Sequence, residues 1–187
     1  MSSSNVAVDD RILDAAARCL QLTGRAPIAE VARQSGVSRP TVYRRFADSD
    51  AVVRALWERE LGRLVDATPR RGDDRAALVS QIVRIADRIS THETLISTFV
   101  SDRGLIAEYI VDRLDGGQRA LLELLRGAIV DAQRAGTVRR GRPDELAAMI
   151  LLITQSAIQS RQMIADYLSA TAWRRELTRA IDGYLAP

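Results

Sequence analysis

The segment formed by residues 28–46 constrains the fold of this chain more than any other. Its first part, residues 28–35 (IAEVARQS), places apolar side chains at the spacing of one helix face. Gly36 then ends this helix, because glycine adopts the left-handed backbone that a helix C-cap requires. Ser38 is a favoured N-cap, and Pro40 suits the first turn of a following helix. Two short helices joined by such a turn predict a helix-turn-helix.

The second helix of this motif has an inner and an outer face. At about 100° per residue, Val42 lies at the centre of the inner face, with Ser38 and Phe46 close to it. Arg45 points back toward the rest of the domain. The other residues are of types that contact DNA: Arg39, Pro40, Thr41, Tyr43 and Arg44. The pattern predicts a buried side that packs on the domain and an outer side that enters the major groove.

The outer residues are predicted to divide between bases and phosphates. Arg39 and Arg44 suit guanine, because a guanidinium group matches the O6 and N7 acceptors of that base. Pro40 is expected to contact a thymine methyl group. The residues better placed for phosphates, which position a protein without reading sequence, are Thr41, Tyr43 and Arg45. Ser38, at the start of the helix, is included among the DNA-binding residues.

The charge of this region favours a polyanionic partner. Residues 25–46 carry five arginines against one acid, Glu30, which gives a local charge of +4. The whole chain carries only +3, and all 27 of its basic residues are arginine. An arginine-rich helix face is therefore weak evidence taken alone, and a solvated surface is the alternative. The glycine turn and the apolar inner face favour DNA binding.

The composition argues against an enzyme. One histidine, His92, and one cysteine, Cys19, cannot make a structural zinc site. The sequence identifies no catalytic partner for His92 and contains no glycine-rich phosphate loop. Cys19 lies on an apolar helix pattern, which predicts a small buried side chain. We therefore expect no catalytic residues, no metal and no cofactor.

The N-terminus and the apolar runs predict a cytoplasmic protein. The N-terminus is polar and acidic, unlike a secretory signal. The longest apolar run, residues 146–153, is too short for a bilayer, because a spanning helix needs about 20 residues. We therefore expect no association with a membrane.

Helical periodicity continues through the chain, and no segment alternates strictly enough to predict a strand. Besides the recognition helix, predicted helices span 10–22, 28–35, 49–66, 74–90, 93–100, 104–114, 118–135, 145–168 and 172–185. The expected fold is all-α, with about nine or ten helices. The acids near the start of the first helix, which would stabilise its dipole there, are Asp9, Asp10 and Asp14.

Residues 68–73 (TPRRGD) form the clearest boundary, because proline and glycine interrupt a charged stretch. This boundary predicts a helix-turn-helix DNA-binding domain at 8–48 and a connecting helix at 49–67. A helical regulatory and dimerisation domain is then expected at 73–187.

The predicted helix 145–168 is apolar on every side in its first half (LAAMILLI). A helix that is apolar all round must be covered all round. One face can pack on its own domain, and the other face must meet a second surface. A partner subunit is the simplest candidate, and the interior of a large monomer is the alternative.

Several of these segments resemble the TetR family of bacterial transcriptional regulators. The resemblance is dense in ILDAAARCL, VARQSGVSRPTVYRRF and ADSDAVVRAL. A later stretch, AQRAGTVRRGRPDELAAMILL, resembles the family's connection into its first dimerisation helix. The resemblance implies an N-terminal three-helix DNA-binding domain followed by a C-terminal helical domain for ligand binding and dimerisation.

The resemblance also implies a mechanism. A homodimeric repressor would present one recognition helix to each half of a palindromic operator on double-stranded DNA. Helices 145–168 and 172–185 of both subunits would form a four-helix bundle. A small effector in the central domain would change the spacing of the recognition helices and release the DNA.

Three positions depart from the family pattern. Ser49 stands where the family often has a phosphate-gripping lysine, so it can donate a hydrogen bond but brings no charge. Pro27 replaces the usual threonine before the second helix, in a loop that is about two residues shorter than usual. Arg25 is expected to supply the missing contact to the DNA backbone.

The effector pocket of this family would lie among helices 74–90, 93–114, 118–135 and 145–168. Its predicted apolar lining, which is equally the lining of any helical core, is Ile82, Ile85, Ile89, Phe99, Ile110, Leu121, Leu125, Met149 and Ile153. Predicted polar groups are His92, Tyr109 and Gln155. The lining favours a hydrophobic effector. The alternative function is a helical protein-interaction module with a degenerate helix-turn-helix, and a duplex-binding assay separates the two.

Overall fold

The computed structural model describes residues 3–96 and 116–187, and within these two ranges all regular structure is helical. The helices are α1 Ser3–Thr23, α2 Ile28–Ser35, α3 Arg39–Arg45, α4 Ser49–Asp66, α5 Arg75–Ile89, α6 Gly116–Arg134, α7 Pro143–Ser160 and α8 Ala170–Leu185. Residues 93–96 are also helical. The predicted all-α fold is confirmed, and the predicted helices beyond residue 96 and before residue 116 lie outside the described residues.

The described chain forms two compact units. The first contains residues 3–62 and 92–96, and the second contains residues 63–91 and 116–187. The division falls within α4, after Gly62, and not at the charged segment 68–73. The domain limits 8–48, 49–67 and 73–187 stay predictions.

Segment 68–73 is tied to α5 within the second unit. The side chain of Gln81 donates to the carbonyl of Thr68 at 2.9 Å. Arg84 and Arg88 donate to the carbonyls of Pro69 and Ala67 at 2.9 and 3.0 Å. Proline and glycine therefore mark the end of α4, but the polypeptide that follows is held by side chains of the next helix.

The first unit packs the apolar faces of α1 to α4 around one core. Its buried residues come from all four helices and the turn between α2 and α3: Ile12, Ala15, Ala16, Cys19, Val31, Val37, Val42, Val52 and Leu56. The prediction that Cys19 is a small buried side chain is confirmed. Burial raises the pKa of its thiol, with a further contribution from Glu30.

Helix α1 begins at Ser3, well before the predicted start at Asp10. The acids Asp9, Asp10 and Asp14 therefore lie beyond the first turn, and the prediction that they stabilise the helix dipole is wrong. They pair with arginines of other helices instead. Arg59 on α4 donates to Asp10 at 3.3 Å and to Asp14 at 2.8 Å.

The second unit packs α5, α6, α7 and α8 around a second core. Its largest fully buried side chains are Leu78, Ile129, Leu146, Ile150, Ile181 and Leu185, and Trp173 at the start of α8 is also buried. Gly136 follows α6 with φ 70°, as expected for a helix that ends at glycine.

Helix α7 ends at Ser160, although the apolar pattern predicted a helix to Leu168. The indole Nε1 of Trp173 donates to the carbonyl of Ala157 at 3.3 Å. This carbonyl would accept the backbone N–H of Arg161 in a continuing α-helix. That N–H binds Ile158 instead, at 3.3 Å, and the chain turns.

Candidate nucleic-acid interface

The turn between α2 and α3 is built as the sequence predicts. Gly36 has φ 66° and ψ 22°, in the left-handed region. An added Cβ would meet no atom within 4 Å, so the backbone conformation and not the available space requires glycine here. The next residue, Val37, is buried, and its N–H donates to the carbonyl of Ala32 at 3.3 Å. This arrangement fixes α3 against α2.

Helix α3 is capped by Ser38 and centred on Val42. The Ser38 Oγ accepts the N–H of Thr41 at 3.4 Å and lies 2.9 Å from the Thr41 hydroxyl. Capping turns this side chain toward the helix end, where it is exposed. The prediction that Ser38 belongs to the buried side is therefore wrong, whereas Val42 is fully buried and Phe46 packs partly buried against the same core.

The outer face of α3 is open to solvent. Its exposed residues are Arg39, Pro40, Tyr43 and Arg44, and Thr41 is half-buried beside the cap. No ion pair or hydrogen bond within residues 3–96 and 116–187 engages the guanidinium groups of Arg39 and Arg44. The guanidinium group of the exposed Arg25, before α2, likewise has no ion pair or hydrogen bond within these two ranges. These three cations are available to a ligand outside the chain.

The other two arginines of the basic segment are already paired. Arg33 donates to the Glu30 carboxylate at 2.9 and 2.5 Å, and Gln34 donates to the same carboxylate at 2.8 Å. The hydrogen bond from Arg33, followed by that from Gln34, lowers the pKa of Glu30 to about 2. The predicted local charge thus separates into three arginines without a partner among the described residues and two that are held within the chain.

Arg45 is the second paired arginine. Its Nη1 lies 2.5 Å from the Asp9 carboxylate and 3.2 Å from the Asn5 carbonyl, and its Nη2 lies 2.6 Å from the Asn5 side-chain oxygen. Only 17% of its side chain is exposed. The helical wheel placed Arg45 toward the domain correctly, but it gave no sign of which partners it would meet.

The start of α4 carries less positive potential than the family pattern implies. The Asp48 carboxylate accepts the N–H of Ala51 at 2.7 Å, so Asp48 is the capping residue. Ser49 is half-buried between two acids, Asp48 and Asp50. These carboxylates oppose a phosphate at this helix end.

The residues predicted to line an effector pocket do not all come together. Ile82 and Leu125 belong to the core of the second unit, with Leu121 and Ile153 packed against it. Ile85 and Ile89 are buried on the same helix as Ile82, and Gln155 is half-buried. Phe99, Tyr109 and Ile110 lie outside the described residues. This part of the lining is a helical core.

Two of the predicted pocket residues lie elsewhere. Met149 is 41% exposed and lies on a different side of α7 from the buried Ile150, because adjacent residues of a helix are about 100° apart. His92 belongs to the first unit, where its Nε2 lies 4.0 Å from the Glu60 carboxylate. Neither residue shares the core that holds Ile82 and Leu125.

The sequence reasoning missed Thr154. Its hydroxyl oxygen is buried and has no hydrogen-bond partner within the described residues. It lies on α7, on the side of the buried Ala147 and Ile150. The only signal in the sequence was a threonine that follows an apolar run.

Four large apolar side chains on α7 and in the turns that follow it are exposed, and they are here called the α7 face. Its members are Met149, Leu152, Met163 and Tyr167. By contrast, the outer side of α8 carries ion pairs, with Glu176 2.8 Å from Arg175 and 3.1 Å from Arg179.

Two further properties of the described residues bear on the class of protein. No group of three or more histidine, cysteine, aspartate or glutamate residues among them is arranged to hold a metal ion. None of the helices in residues 3–96 and 116–187 combines the length and the hydropathy needed to cross a bilayer.

A packed helix-turn-helix whose outer arginines have no partner among the described residues, which contain only helices as regular structure, is typical of a DNA-binding regulator. Comparison with known proteins agrees. The family model for bacterial regulatory proteins of the tetR family matches residues 12–56. An uncharacterized HTH-type transcriptional regulator of Mycobacterium tuberculosis is 42% identical over 187 residues, which cover 99% of this chain and 98% of the relative. The chain belongs to the TetR family of transcriptional regulators.

Solved structures show the same fold. The Rhodococcus erythropolis repressor QsdR matches with a TM-score of 0.69 at 14% identity, over 96% of this chain and 94% of the other. SmeT in complex with triclosan matches with a TM-score of 0.69 at 18% identity, over 97% and 92%. The N-terminal helix-turn-helix domain and the helical C-terminal domain are common to these proteins and this chain.

Proposed function

We propose that this regulator is a repressor that binds a palindromic operator as a homodimer and is released by a small, predominantly apolar effector. The observation that carries the proposal is the exposure of Arg39 and Arg44, which have no partner within residues 3–96 and 116–187, on a helix that is otherwise anchored by its turn, its cap and Val42.

The DNA contacts follow from the exposure of each side chain. Arg39 and Arg44 contact guanines, and the exposed Pro40 contacts a thymine methyl group. The residues proposed for phosphates are Arg25, Thr41 and Tyr43. Ser38 acts mainly through its cap, and Ser49 contributes at most a hydrogen bond because of the acids beside it. An arginine that has no partner among the described residues gives up none of their contacts when it binds DNA.

The α7 face supports a homodimer. Leu152 is 58% exposed and lies beside Met149, and large apolar residues in one surface favour burial against a partner. A two-fold axis would place the same surface of each subunit against its copy. Helix α8 would add its charged side next to this contact. A palindromic operator matches such a dimer.

The second unit supports an apolar effector. Its core helices carry isoleucine and leucine, and the buried hydroxyl of Thr154 offers one polar group without a partner in the described residues. One similar structure is SmeT in complex with triclosan, and another is the fatty acid degradation regulator FadR of Bacillus halodurans. We infer a small apolar molecule with a hydrogen-bonding group for this chain.

Selection from a pool of randomised duplexes by the full chain tests the operator. We expect two inverted half-sites containing guanine, with centres about 34–36 Å apart or at a multiple of that distance. A reporter gene placed behind the selected site should be expressed less when the protein is present. Enrichment of no sequence would refute the proposal, and a reporter that is expressed more would refute repression.

Sedimentation velocity of matched variants tests the dimer. Leu152 on the α7 face and Leu124 on α6 are both 58% exposed. We expect Leu152→Arg to give a monomer at micromolar concentration and Leu124→Arg to leave the dimer intact. A wild-type monomer, or equal behaviour of the two variants, would contradict the proposed interface.

Binding of the fluorescent probe anilinonaphthalene sulfonate, an aromatic anion whose fluorescence rises in apolar sites, tests the effector site. We expect saturable binding to the folded protein and a weaker affinity for the selected duplex when the probe is bound. Thr154→Val should change the affinity for the probe without changing the affinity for the duplex. Probe binding that leaves duplex affinity unaltered would contradict an effector role for this core.

A further inference from the structure

We propose that Arg45 is a positioning residue, which fixes the recognition helix α3 on α1 through Asp9 and Asn5 and does not contact a phosphate. The proposal rests on the proposed DNA binding. It concerns how α3 is oriented, whereas the proposed function concerns which side chains of α3 meet the DNA.

The first support is the geometry of the guanidinium group. Its two terminal nitrogens reach three oxygens on α1, at 2.5, 2.6 and 3.2 Å. A planar fork that satisfies several acceptors at once holds a defined orientation, unlike a lone point charge. With Nε buried as well, the group presents little of itself to a duplex.

The second support is the size of α3. The helix has seven residues, and Val42 is the only one of them that is buried. Such a short helix is not stable by itself, so its orientation depends on tertiary contacts. The turn at Gly36 fixes one end, and Arg45 is the last helical residue at the other end. Loss of this second anchor would let α3 pivot about Val42.

The third support is the rigidity of α1 itself. Arg59 binds Asp10 and Asp14 on α1, and 13% of its side chain is exposed. Burial disfavours its charge, but its hydrogen bond to Glu60 and the charge of Asp14 outweigh this effect and raise its pKa. Helix α1 is thus attached to α4 and to α3 by neighbouring acids, which makes it a firm support for Arg45.

The two roles of Arg45 predict opposite effects of a change at Asp9. If Arg45 met a phosphate, removing the carboxylate would free a positive charge and strengthen binding to any duplex. If Arg45 positions α3, removing the carboxylate weakens binding to the operator, even though the protein loses a negative charge.

The experiment measures fluorescence anisotropy with two labelled duplexes over a range of salt concentrations. One is the duplex that the wild-type protein selects, and the other has the same length and a scrambled sequence. The variants are Asp9→Ala, Arg45→Ala and their combination. Arg25→Ala serves as the reference for an exposed cation that meets a phosphate. Unfolding curves establish that each variant is folded at the assay temperature. If Asp9→Ala is not folded, Asp9→Asn takes its place.

We expect Asp9→Ala and Arg45→Ala each to weaken operator binding by about tenfold, and the double variant to lose no more than the larger single loss. The affinity for the scrambled duplex and the salt slope should stay unchanged. A merely destabilising change would weaken both duplexes alike. Stronger binding by Asp9→Ala, or a salt slope about one unit shallower for Arg45→Ala, would overturn the proposal.

The same data keep the two proposals separate. If the wild-type protein selects no duplex, the proposed DNA binding fails. If the wild-type protein selects a duplex but Arg45→Ala behaves like Arg25→Ala, only the positioning role of Arg45 fails.

Discussion

Arginine has different surroundings on the outer face of α3 and in the second unit. On α3, Arg39 and Arg44 are exposed, and the described residues offer them no partner. In the second unit, Arg70 binds Asp131 at 2.7 Å, Asp73 at 3.0 Å and the carbonyl of Ala128 at 3.1 Å. The same side chain thus serves as a free cation in one region and as a structural link in the other.

Arg161 shows the structural use most clearly. It donates to the Asp87 carboxylate at 3.0 Å and to the Ser90 hydroxyl, and its guanidinium group lies 4.7 Å from the centre of the Trp173 ring. Asp87 also accepts from Arg174 at 3.1 Å. In a chain whose basic residues are all arginine, function is therefore indicated by donors that the fold leaves unsatisfied, and not by the number of arginines.

The largest expected effect on the free energy of unfolding comes from removing an arginine that links parts of the fold. Arg161→Ala should lower the free energy of unfolding by about 2–3 kcal/mol, below the full cost of breaking a buried pair because Asp87 is 24% exposed. Chemical denaturation measures the change. Arg140→Ala is the control, because Arg140 is exposed and has no partner in the described residues. Equal midpoints for the two variants would contradict the structural role.

The next largest effect on stability is expected for Ser38, the residue that caps α3. Ser38→Ala removes the N-cap of α3 and should cost about 1 kcal/mol of stability. Ser38→Asp keeps an acceptor for the N–H of Thr41 and should restore most of the loss. Thermal unfolding followed by circular dichroism compares them. An alanine variant as stable as the wild type would show that the turn alone holds this helix end.

A smaller effect is expected for the free arginines. Arg39→Ala and Arg44→Ala should each change the free energy of unfolding by less than about 0.5 kcal/mol, because both side chains are exposed and neither has a partner in residues 3–96 and 116–187. The same denaturation assay applies. A loss comparable to that of Arg161→Ala would remove the distinction between free and structural arginines.

The smallest effect is local and depends on pH. A depressed pKa means that the ionised Glu30 contributes stability above its usual pKa of 4.5, and that this contribution is lost as the pH falls toward about 2. Titration of the carboxyl carbon by NMR should show the low midpoint. Arg33→Ala should return the midpoint toward the usual value. A midpoint near 4.5 in the wild type would mean that Arg33 is a free cation like Arg39.

The sequence predicted those features whose causes are local. The limits of α2 and α4, the left-handed Gly36 and the cap at Ser38 all depend on residues within one or two helical turns. The inner position of Val42 follows from periodicity within a single helix. These features also suffice to identify the outer face of α3.

The features that the sequence could not predict depend on distant partners. Arg45 meets Asp9 across 36 positions of the chain, and Arg161 meets Asp87 across 74. Periodicity places both arginines on a face but names no acceptor. The end of α7 also involves a distant partner, because the indole of Trp173 donates to the carbonyl of Ala157. The ion pairs are therefore visible only in the structure. They divide the arginines into those that are paired within the chain and those that are exposed without a partner in the described residues.

Operator discrimination by the wild-type protein and by Arg44→Ala tests the central claim most directly. The affinities are measured for the selected duplex and for duplexes in which each half-site guanine is replaced in turn. We predict that Arg44→Ala loses about 1–3 kcal/mol on the selected duplex and stops distinguishing guanine at one position of each half-site. An Arg44→Ala protein with the affinity and base preference of the wild type would contradict the claim that the unpaired arginines of α3 read the DNA.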